Sequence, residues 1–211
     1  MSPHPATANP DARMLKRLFD ATAAAGYLLL LGPFLAIIAV LIKLTSPGPV
    51  FFRQERMGMN FRPFRIFKFR TMVVDAAIKG GQITAGADAR ITPVGRILRK
   101  AKLDELPQLF NILRGEMSLV GPRPEVRRYV EMFPEDFAVL LSVRPGITDL
   151  ASVEFRDEQE ILGAAADPEV EYVNRVLPMK VSLSKRYIER MSLWYDLNLL
   201  VRTLAKLFDR S

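Results

Sequence analysis

A run of about 22 uncharged, mostly apolar residues from Ala21 to Ile42 limits what this chain can fold into more than any other feature. As a helix it would cover roughly 33 Å, the thickness of a bilayer's hydrocarbon core. Pro33 sits in its middle, with no N–H to donate and a ring that clashes with the carbonyl of Leu29. An interior proline costs on the order of 3 kcal/mol unless the helix bends there, and Gly32 beside it eases bending. Arg13, Lys16 and Arg17 precede the run, and Lys43, Arg53 and Arg56 follow it, so both flanks carry the positive charge that favours the cytoplasm. A re-entrant helix that dips in, turns at Gly32-Pro33 and leaves by the same face satisfies both flanks and is the preferred reading. A kinked spanning anchor is the first alternative and a buried soluble helix the weakest. A signal peptide fits less well, because no small-residue cleavage site precedes the polar region.

The remaining composition narrows the chemistry. The 211 residues carry a formal net charge of +7, which suits an anionic partner such as a phospholipid surface, a nucleotide, a polyprenyl phosphate or nucleic acid. There is no cysteine, so disulfides, zinc–thiolate sites and a thiol nucleophile are excluded together. The one histidine, His4, lies in a Pro/Ala/Asn-rich N-terminus that reads as disordered. Catalysis must then use carboxylates, hydroxyls, Lys or Arg, and any metal is a hard, oxygen-seeking ion such as Mg²⁺.

Beyond the apolar run, Ser46-Pro47-Gly48-Pro49 is a turn cluster. Residues 50–54 and 64–70 read as short strands around a turn at Met57-Gly58-Met59-Asn60. In the second strand Arg65, Lys68 and Arg70 interleave with Ile66, Phe67 and Phe69, either as a solvated basic face or as a surface addressing phosphates. Residues 78–88 are Gly- and Ala-rich and read as a loop, and residues 94–103 as a basic helix. Leu106, Leu109, Phe110 and Leu113 recur at helical spacing, which predicts a helix over about 105–113 that ends near Gly115, with Pro107 in its first turn. The last segment carries a stripe of Leu193, Leu197, Leu200, Leu204 and Leu207, supplemented by Trp194, Val201 and Phe208. That stripe fits packing on the core and lying in a membrane interface equally well.

Asp104-Glu105 is the strongest candidate for chemistry. The helix dipole and nearby Lys100 and Lys102 favour ionised carboxylates there. An ionised Asp can attack phosphorus, and an adjacent carboxylate can hold Mg²⁺ against the same phosphate. Against this stands the common use of such pairs as helix caps. In Gly121-Pro122-Arg123-Pro124 two prolines restrict the backbone around an arginine suited to bidentate phosphate recognition. Arg144-Pro145-Gly146 repeats the theme with a type II turn, whereas Arg156 sits among acidic residues as in a surface ion pair.

Taken in order, Lys68-Phe69-Arg70-Thr71-Met72, the run Leu103-Asp104-Glu105-Leu106-Pro107-Gln108-Leu109-Phe110-Asn111, Ser118-Leu119-Val120-Gly121-Pro122-Arg123-Pro124 and Arg144-Pro145-Gly146-Ile147-Thr148 resemble the bacterial sugar transferases. These are the monotopic polyprenyl-phosphate phosphoglycosyl transferases, and the likeness runs from about Lys16 to Phe208. The resemblance implies transfer of a sugar-1-phosphate from a UDP-sugar to undecaprenyl phosphate with release of UMP, the first membrane step of bacterial glycoconjugate or exopolysaccharide assembly. It implies Asp104 as nucleophile of a covalent phosphosugar intermediate, and Glu105 with Asp104 at Mg²⁺. It places Lys68, Arg70, Pro122, Arg123, Pro124, Arg144 and Arg156 at the substrate, and the membrane break at Gly32 and Pro33. The implied partners are the UDP-sugar, undecaprenyl phosphate, membrane lipids and a second copy of the chain as a homodimer, with no nucleic acid. The implied location is the bacterial inner membrane, with the active site on its cytoplasmic face.

The implied fold class is α/β and α-rich. It has a disordered stretch over 1–12, a proline-broken re-entrant helix over 13–45, and a cytoplasmic catalytic domain over 46–211 with a short β-hairpin and interfacial amphipathic helices. The chain resembles the family's minimal form, which is expected to lack a further N-terminal membrane domain. Two departures stand out. Gly32 replaces a frequent serine before the break, and Asp149-Leu150-Ala151-Ser152-Val153-Glu154-Phe155-Arg156 replaces a pattern that begins with glycine and bears on the sugar accepted. A runner-up of another class is a non-catalytic, membrane-anchored basic module binding anionic lipid or nucleic acid, which leaves Asp-Glu and Pro-Arg-Pro unexplained.

Overall fold

The computed structural model describes residues 10–76, 88–154 and 158–208. His4, most of the expected loop over 78–88, and Arg156 lie outside them.

The apolar run forms the middle of one long helix, α1 (Pro10–Thr45), with Asp11 in its first turn and Lys43 in its last, as the helix dipole favours. Pro33 lies inside α1 without dividing it. The expected break is therefore not an interruption of the helix. Asp20, Ala24, Leu35, Ile38 and Ile42 are buried and Leu28 and Leu31 partly so, forming a single stripe at helical spacing along one face. Pro33 is exposed, on the side away from that stripe, so its missing hydrogen bond weakens the outer wall of the helix and favours curvature around the protein body. The outer face stays apolar and uncovered: Leu29 is 83% exposed, with Leu30, Ile37, Val40 and Leu44 also exposed. Among the described residues α1 is the one helix long and apolar enough to cross a membrane.

The expected hairpin is present but longer, β1 (Phe51–Met57) and β2 (Pro63–Phe69), antiparallel with Phe51 opposite Phe69 and Glu55 opposite Arg65. The charged residues at 55 and 56 do not end the strand, because one face of a two-stranded sheet meets solvent. The turn moves to a 3₁₀ segment, Met59–Phe61, where Asn60 and Phe61 take left-handed φ values of 57° and 58°.

Helix α2 (Pro93–Lys100) starts where Thr92 Oγ1 accepts from the Gly95 N–H and Pro93 fills the first turn. A 3₁₀ segment, Leu103–Gln108, leads into α3 (Leu109–Arg114), which ends at Gly115 with φ 81°. The expected helix over 105–113 is thus tight in its first half, around Pro107, and α-helical in its second. Strand β3 (Ser118–Val120) pairs in parallel with β4 (Gly146–Thr148), a second small sheet beyond the expected hairpin. A Cβ on Gly146 would collide with the Gly121 backbone, and one on Gly121 would lie 2.5 Å from the Arg144 carbonyl, so the two loops cross only as glycine on glycine.

Between and after these strands come α4 (Arg127–Met132), α5 (Pro134–Leu140), α6 (Leu150–Glu154), α7 (Glu158–Ala164), α8 (Pro168–Glu171), a π-helical turn at Tyr172–Val176, α9 (Leu177–Arg190) and α10 (Leu193–Phe208). The main core joins Ala24 of α1 to both sheets, helices α3 to α7, the π-helical turn, α9 and α10, and a smaller cluster packs Leu35, Ile38 and Ile42 against Phe69 and Leu98. Both halves of α1 therefore dock on the same body. In α10 the buried positions are Asp196 and Leu199, while Trp194 (80% exposed), Leu197, Val201 and Leu204 face outward. Leu197 and Leu204 of the expected stripe, with Trp194 and Val201, thus form a second uncovered apolar surface, while Leu200 packs against the core.

Candidate active site

Lys102 takes a left-handed conformation (φ 57°, ψ 19°), uncommon for a residue with a Cβ, and turns the chain from α2 into the 3₁₀ segment that carries Asp104 and Glu105. Two cations converge on Glu105. Lys68 Nζ donates to its Oε1 at 2.8 Å, and the Arg123 guanidinium donates to Oε1 at 2.5 Å and to Oε2 at 3.4 Å. Burial alone would raise the Glu105 carboxyl, but the charges and hydrogen bonds of Arg123 and Lys68 outweigh it and hold it well below the usual range. Burial lowers Lys68 from its ordinary value, against the opposing pull of Glu105.

Asp104 differs from its neighbour. It is 8% exposed, and among the described residues no group donates a hydrogen bond to its carboxylate. Burial, together with the charge of Glu105, raises its pKa, and Lys68, Arg99 and Lys102 act against that rise. The site thus pairs a neutralised, immobilised carboxylate with one left open for an incoming group.

Each cation is delivered by a separate device. Lys68 lies on β2, whose far edge is clipped by the fully buried Asn111: its Oδ1 accepts from the Phe67 N–H at 3.0 Å and its Nδ2 donates to the Arg65 carbonyl at 2.8 Å. Arg123 follows β3, and its flanking prolines are buried with their carbonyls engaged, Pro122 by the Gly146 N–H and Pro124 by Arg56. Beneath β3, Asp20 of α1 accepts from Ser118 Oγ at 2.8 Å and from the Leu119 N–H at 3.3 Å. Lys16 bridges to Asp196 at 2.5 Å, and Tyr187 donates to the same carboxylate at 2.7 Å. Sequence reading took Lys16 only as a flanking charge and missed Asp20 and Asp196. Their signal is a charged residue placed on the apolar stripe of its own helix.

Two arginines expected at the substrate donate to other parts of the chain. Arg70 is buried and turned toward the Ser46 turn, donating to the Ser46 carbonyl at 2.8 Å and its Oγ at 2.6 Å. Arg144 donates to the Gly115 carbonyl at 2.9 Å, while Arg17 donates to the carbonyls of Ile112 and Leu113. Both arginines cap the carboxyl end of α3, where a cation meets the negative end of the helix dipole. Gly32 and Pro33 are remote from Glu105 in role. Gly32 lines an apolar cleft of about 570 Å³ between α1 and the body, walled also by Leu28, Phe51, Phe69, Pro107 and Phe110. Pro107 belongs to the same 3₁₀ segment as Asp104, so that one segment serves both the charged site and the wall of the apolar cleft.

Among the described residues no three acidic or histidine side chains gather as a ready-made metal cage. The donor set still fits a hard ion. Asp104 is open and Glu105 Oε2 has only the long contact to Arg123, and Mg²⁺ commonly uses one or two carboxylates with the remaining oxygens from substrate phosphates.

The family model for bacterial sugar transferases matches residues 11–210. The chain belongs to that family. Among curated sugar transferases it is 40% identical to the UDP-N-acetylgalactosamine-undecaprenyl-phosphate N-acetylgalactosaminephosphotransferase of Aeromonas hydrophila, over 93% of this chain and 44% of that protein. It is 38% identical to the UDP-glucose:undecaprenyl-phosphate glucose-1-phosphate transferase of Escherichia coli, over 93% of this chain and 40% of that protein. A protein of the same description from Caulobacter vibrioides is 40% identical, over 91% of this chain and 69% of that protein. The chain therefore spans less than half the length of the first two of these sugar transferases.

Proposed function

We propose that this sugar transferase moves a sugar-1-phosphate from a UDP-sugar to undecaprenyl phosphate, releasing UMP, through a covalent intermediate on Asp104. The observation that carries the reading is the division of labour between adjacent carboxylates: Glu105 held by Lys68 and Arg123, and Asp104 buried and open. An Asp104 oxygen attacks the phosphorus next to the sugar. The bond from that phosphorus to the bridging oxygen breaks, and UMP leaves carrying the oxygen and its charge. A phosphate oxygen of the lipid acceptor then attacks the same phosphorus and frees the Asp104 carboxylate. Arg123 and Lys68 stabilise charge on the transferring phosphoryl group, in a site dry enough for fixed charges to act strongly. Asp104 and Glu105 Oε2 would hold Mg²⁺, which when bound neutralises phosphate charge.

The same reading explains the apolar surfaces. A polyprenyl phosphate keeps its chain in lipid, so its phosphate is reachable only at headgroup level. Helix α1 is docked along its length on a charged body that cannot enter hydrocarbon, which favours immersion of its outer face over spanning. We read α1 as re-entrant, curving at Pro33, with α10 lying in the interface on Trp194, Leu197, Val201 and Leu204, and the site on the cytoplasmic face of the inner membrane. The apolar cleft gives the first isoprene units a path from the bilayer to Asp104.

The test is mass spectrometry of protein incubated with UDP-sugar and Mg²⁺ but no lipid acceptor. The unaltered protein gains a sugar-phosphate mass on the peptide containing Asp104, and Asp104→Asn does not. An Asn variant with near-normal turnover refutes the covalent route.

A further inference from the structure

Asp149 directly follows β4 and is 2% exposed. Its Oδ1 accepts from the Ser152 N–H at 2.7 Å and so opens α6. Its Oδ2 is buried and, among the described residues, receives no hydrogen bond. Asp149 lines a small cavity of about 10 Å³ together with Arg123, Lys180 and Ser184, room for one water-sized polar group. The two cations of that lining are committed elsewhere, Arg123 to Glu105 and Lys180 to Glu158 at 3.2 Å, with Glu125 at 3.9 Å. Asp149 is thus a buried acceptor with its partner missing, and such an acceptor is costly unless something with an O–H or N–H fills the space beside it.

Arg123 fixes which group can reach that space. It binds Glu105 and also lines the cavity. In the reaction proposed above, on which this inference rests, the phosphorus attacked by Asp104 bears the sugar, so the sugar lies one bond from the phosphate that Arg123 addresses. We propose that Asp149 Oδ2 accepts a hydrogen bond from one hydroxyl or amide N–H of the donor's sugar, which makes Asp149 a specificity-determining residue. The same chemistry could come from a trapped water, and the two sources differ in outcome. A sugar hydroxyl makes the effect of altering Asp149 depend on the sugar, and a water makes it uniform.

The probe is a panel of UDP-glucose, UDP-galactose, UDP-N-acetylglucosamine, UDP-N-acetylgalactosamine and UDP-xylose, with UMP release to undecaprenyl phosphate measured for the full chain. Asp149→Asn keeps the oxygen that caps α6 and exchanges the orphan acceptor for a donor. We expect kcat/KM to fall roughly 10–100-fold for the sugar the unaltered protein prefers and less than about 3-fold for at least one other, so that the order of preference changes. A fall of equal size across the panel overturns the inference and leaves Asp149 as a residue that steadies Arg123 or holds a water. If thermal denaturation shows that the Asn variant does not fold, Ser184→Thr reads the same point, because its added methyl fills the cavity and leaves Asp149 in place. A sugar-dependent loss supports the inference and a uniform one overturns it. An unaltered protein that releases no UMP from any of the five sinks the reaction itself, and the inference with it.

Discussion

At the scale of single residues the site depends on what Arg123 does for Glu105. The guanidinium fork reaches both oxygens of one carboxylate, and a lysine there would supply charge without the fork. Arg123→Lys is expected to lower turnover about 10–100-fold with the fold intact by circular dichroism. Glu105→Gln should also be severe, and the double variant should lose far less than the product of the two single losses, because the pair acts as a unit. Losses that simply multiply in steady-state UMP release would show that the two residues act separately. Asp104, Glu105, Arg123 and Lys68 were legible in the sequence because their motifs fix both residue type and order. Arg70 and Arg144 read as phosphate contacts for the same reason, and the fold gives both of them backbone partners instead. A sequence shows that a side chain is basic, but its direction depends on which carbonyls the fold leaves without partners, and those at Ser46 and Gly115 claim these two. Arg144→Met is accordingly expected to cost ~1 kcal/mol of stability through the lost cap on α3, seen as a lower Tm, while the amount of covalent adduct per folded molecule stays the same. A selective loss of adduct at unchanged Tm would return Arg144 to the substrate.

At the scale of elements, short pieces are held in place by buried polar contacts between them. Strand β3 has three residues, and its Val120 carbonyl accepts from Lys16 of α1 at 3.3 Å while Asp20 of the same helix holds its first two residues. Burial, aided by the charge of Asp196, raises the Tyr187 hydroxyl well above its ordinary value, and burial with Glu125 raises that of Tyr172. A phenol whose pKa is higher in the folded state contributes stability that is fully present below the unfolded value near 10 and is lost as pH rises toward the folded one. We therefore expect stability to decline above about pH 10, with Tyr172 and Tyr187 ionising only as the chain unfolds. Absorbance of tyrosinate and far-ultraviolet circular dichroism, followed together on alkaline titration, check this, and Tyr187→Phe should flatten the decline. Ionisation of all five tyrosines before any loss of helix would contradict it. The hairpin, α2 and the end of α3 at Gly115 were readable from alternation, from a basic helix-compatible run and from a glycine stop. Strands β3 and β4 were not. Three residues give no periodicity, and their pairing depends on two glycines that meet only in three dimensions.

At the scale of the whole molecule, topology follows from one helix attached along its length to a charged body. If α1 is re-entrant, single cysteines introduced at residue 5 and in the body are both labelled from the cytoplasmic side of inner-membrane vesicles. Pro33→Leu, which restores the missing backbone hydrogen bond, should shift residue 5 toward the opposite side. Residue 5 labelled from outside in the otherwise unaltered protein would exclude re-entry. The sequence by itself determined that an apolar helix of membrane length exists, that lysines and arginines flank it on both sides, and that no thiol is available for chemistry. These are properties of composition, spacing and motif order, which do not need the chain to be folded. Only the tertiary structure decided that Pro33 faces away from the body, that Trp194 and Leu197 are uncovered while Leu199 is buried, and that Glu105 is clamped while Asp104 is left open. Each of these depends on which face a neighbouring element covers or which partner reaches a given atom. Contacts between residues such as Glu105 and Arg123, far apart in the chain, are settled by packing and leave no periodicity in the sequence to read.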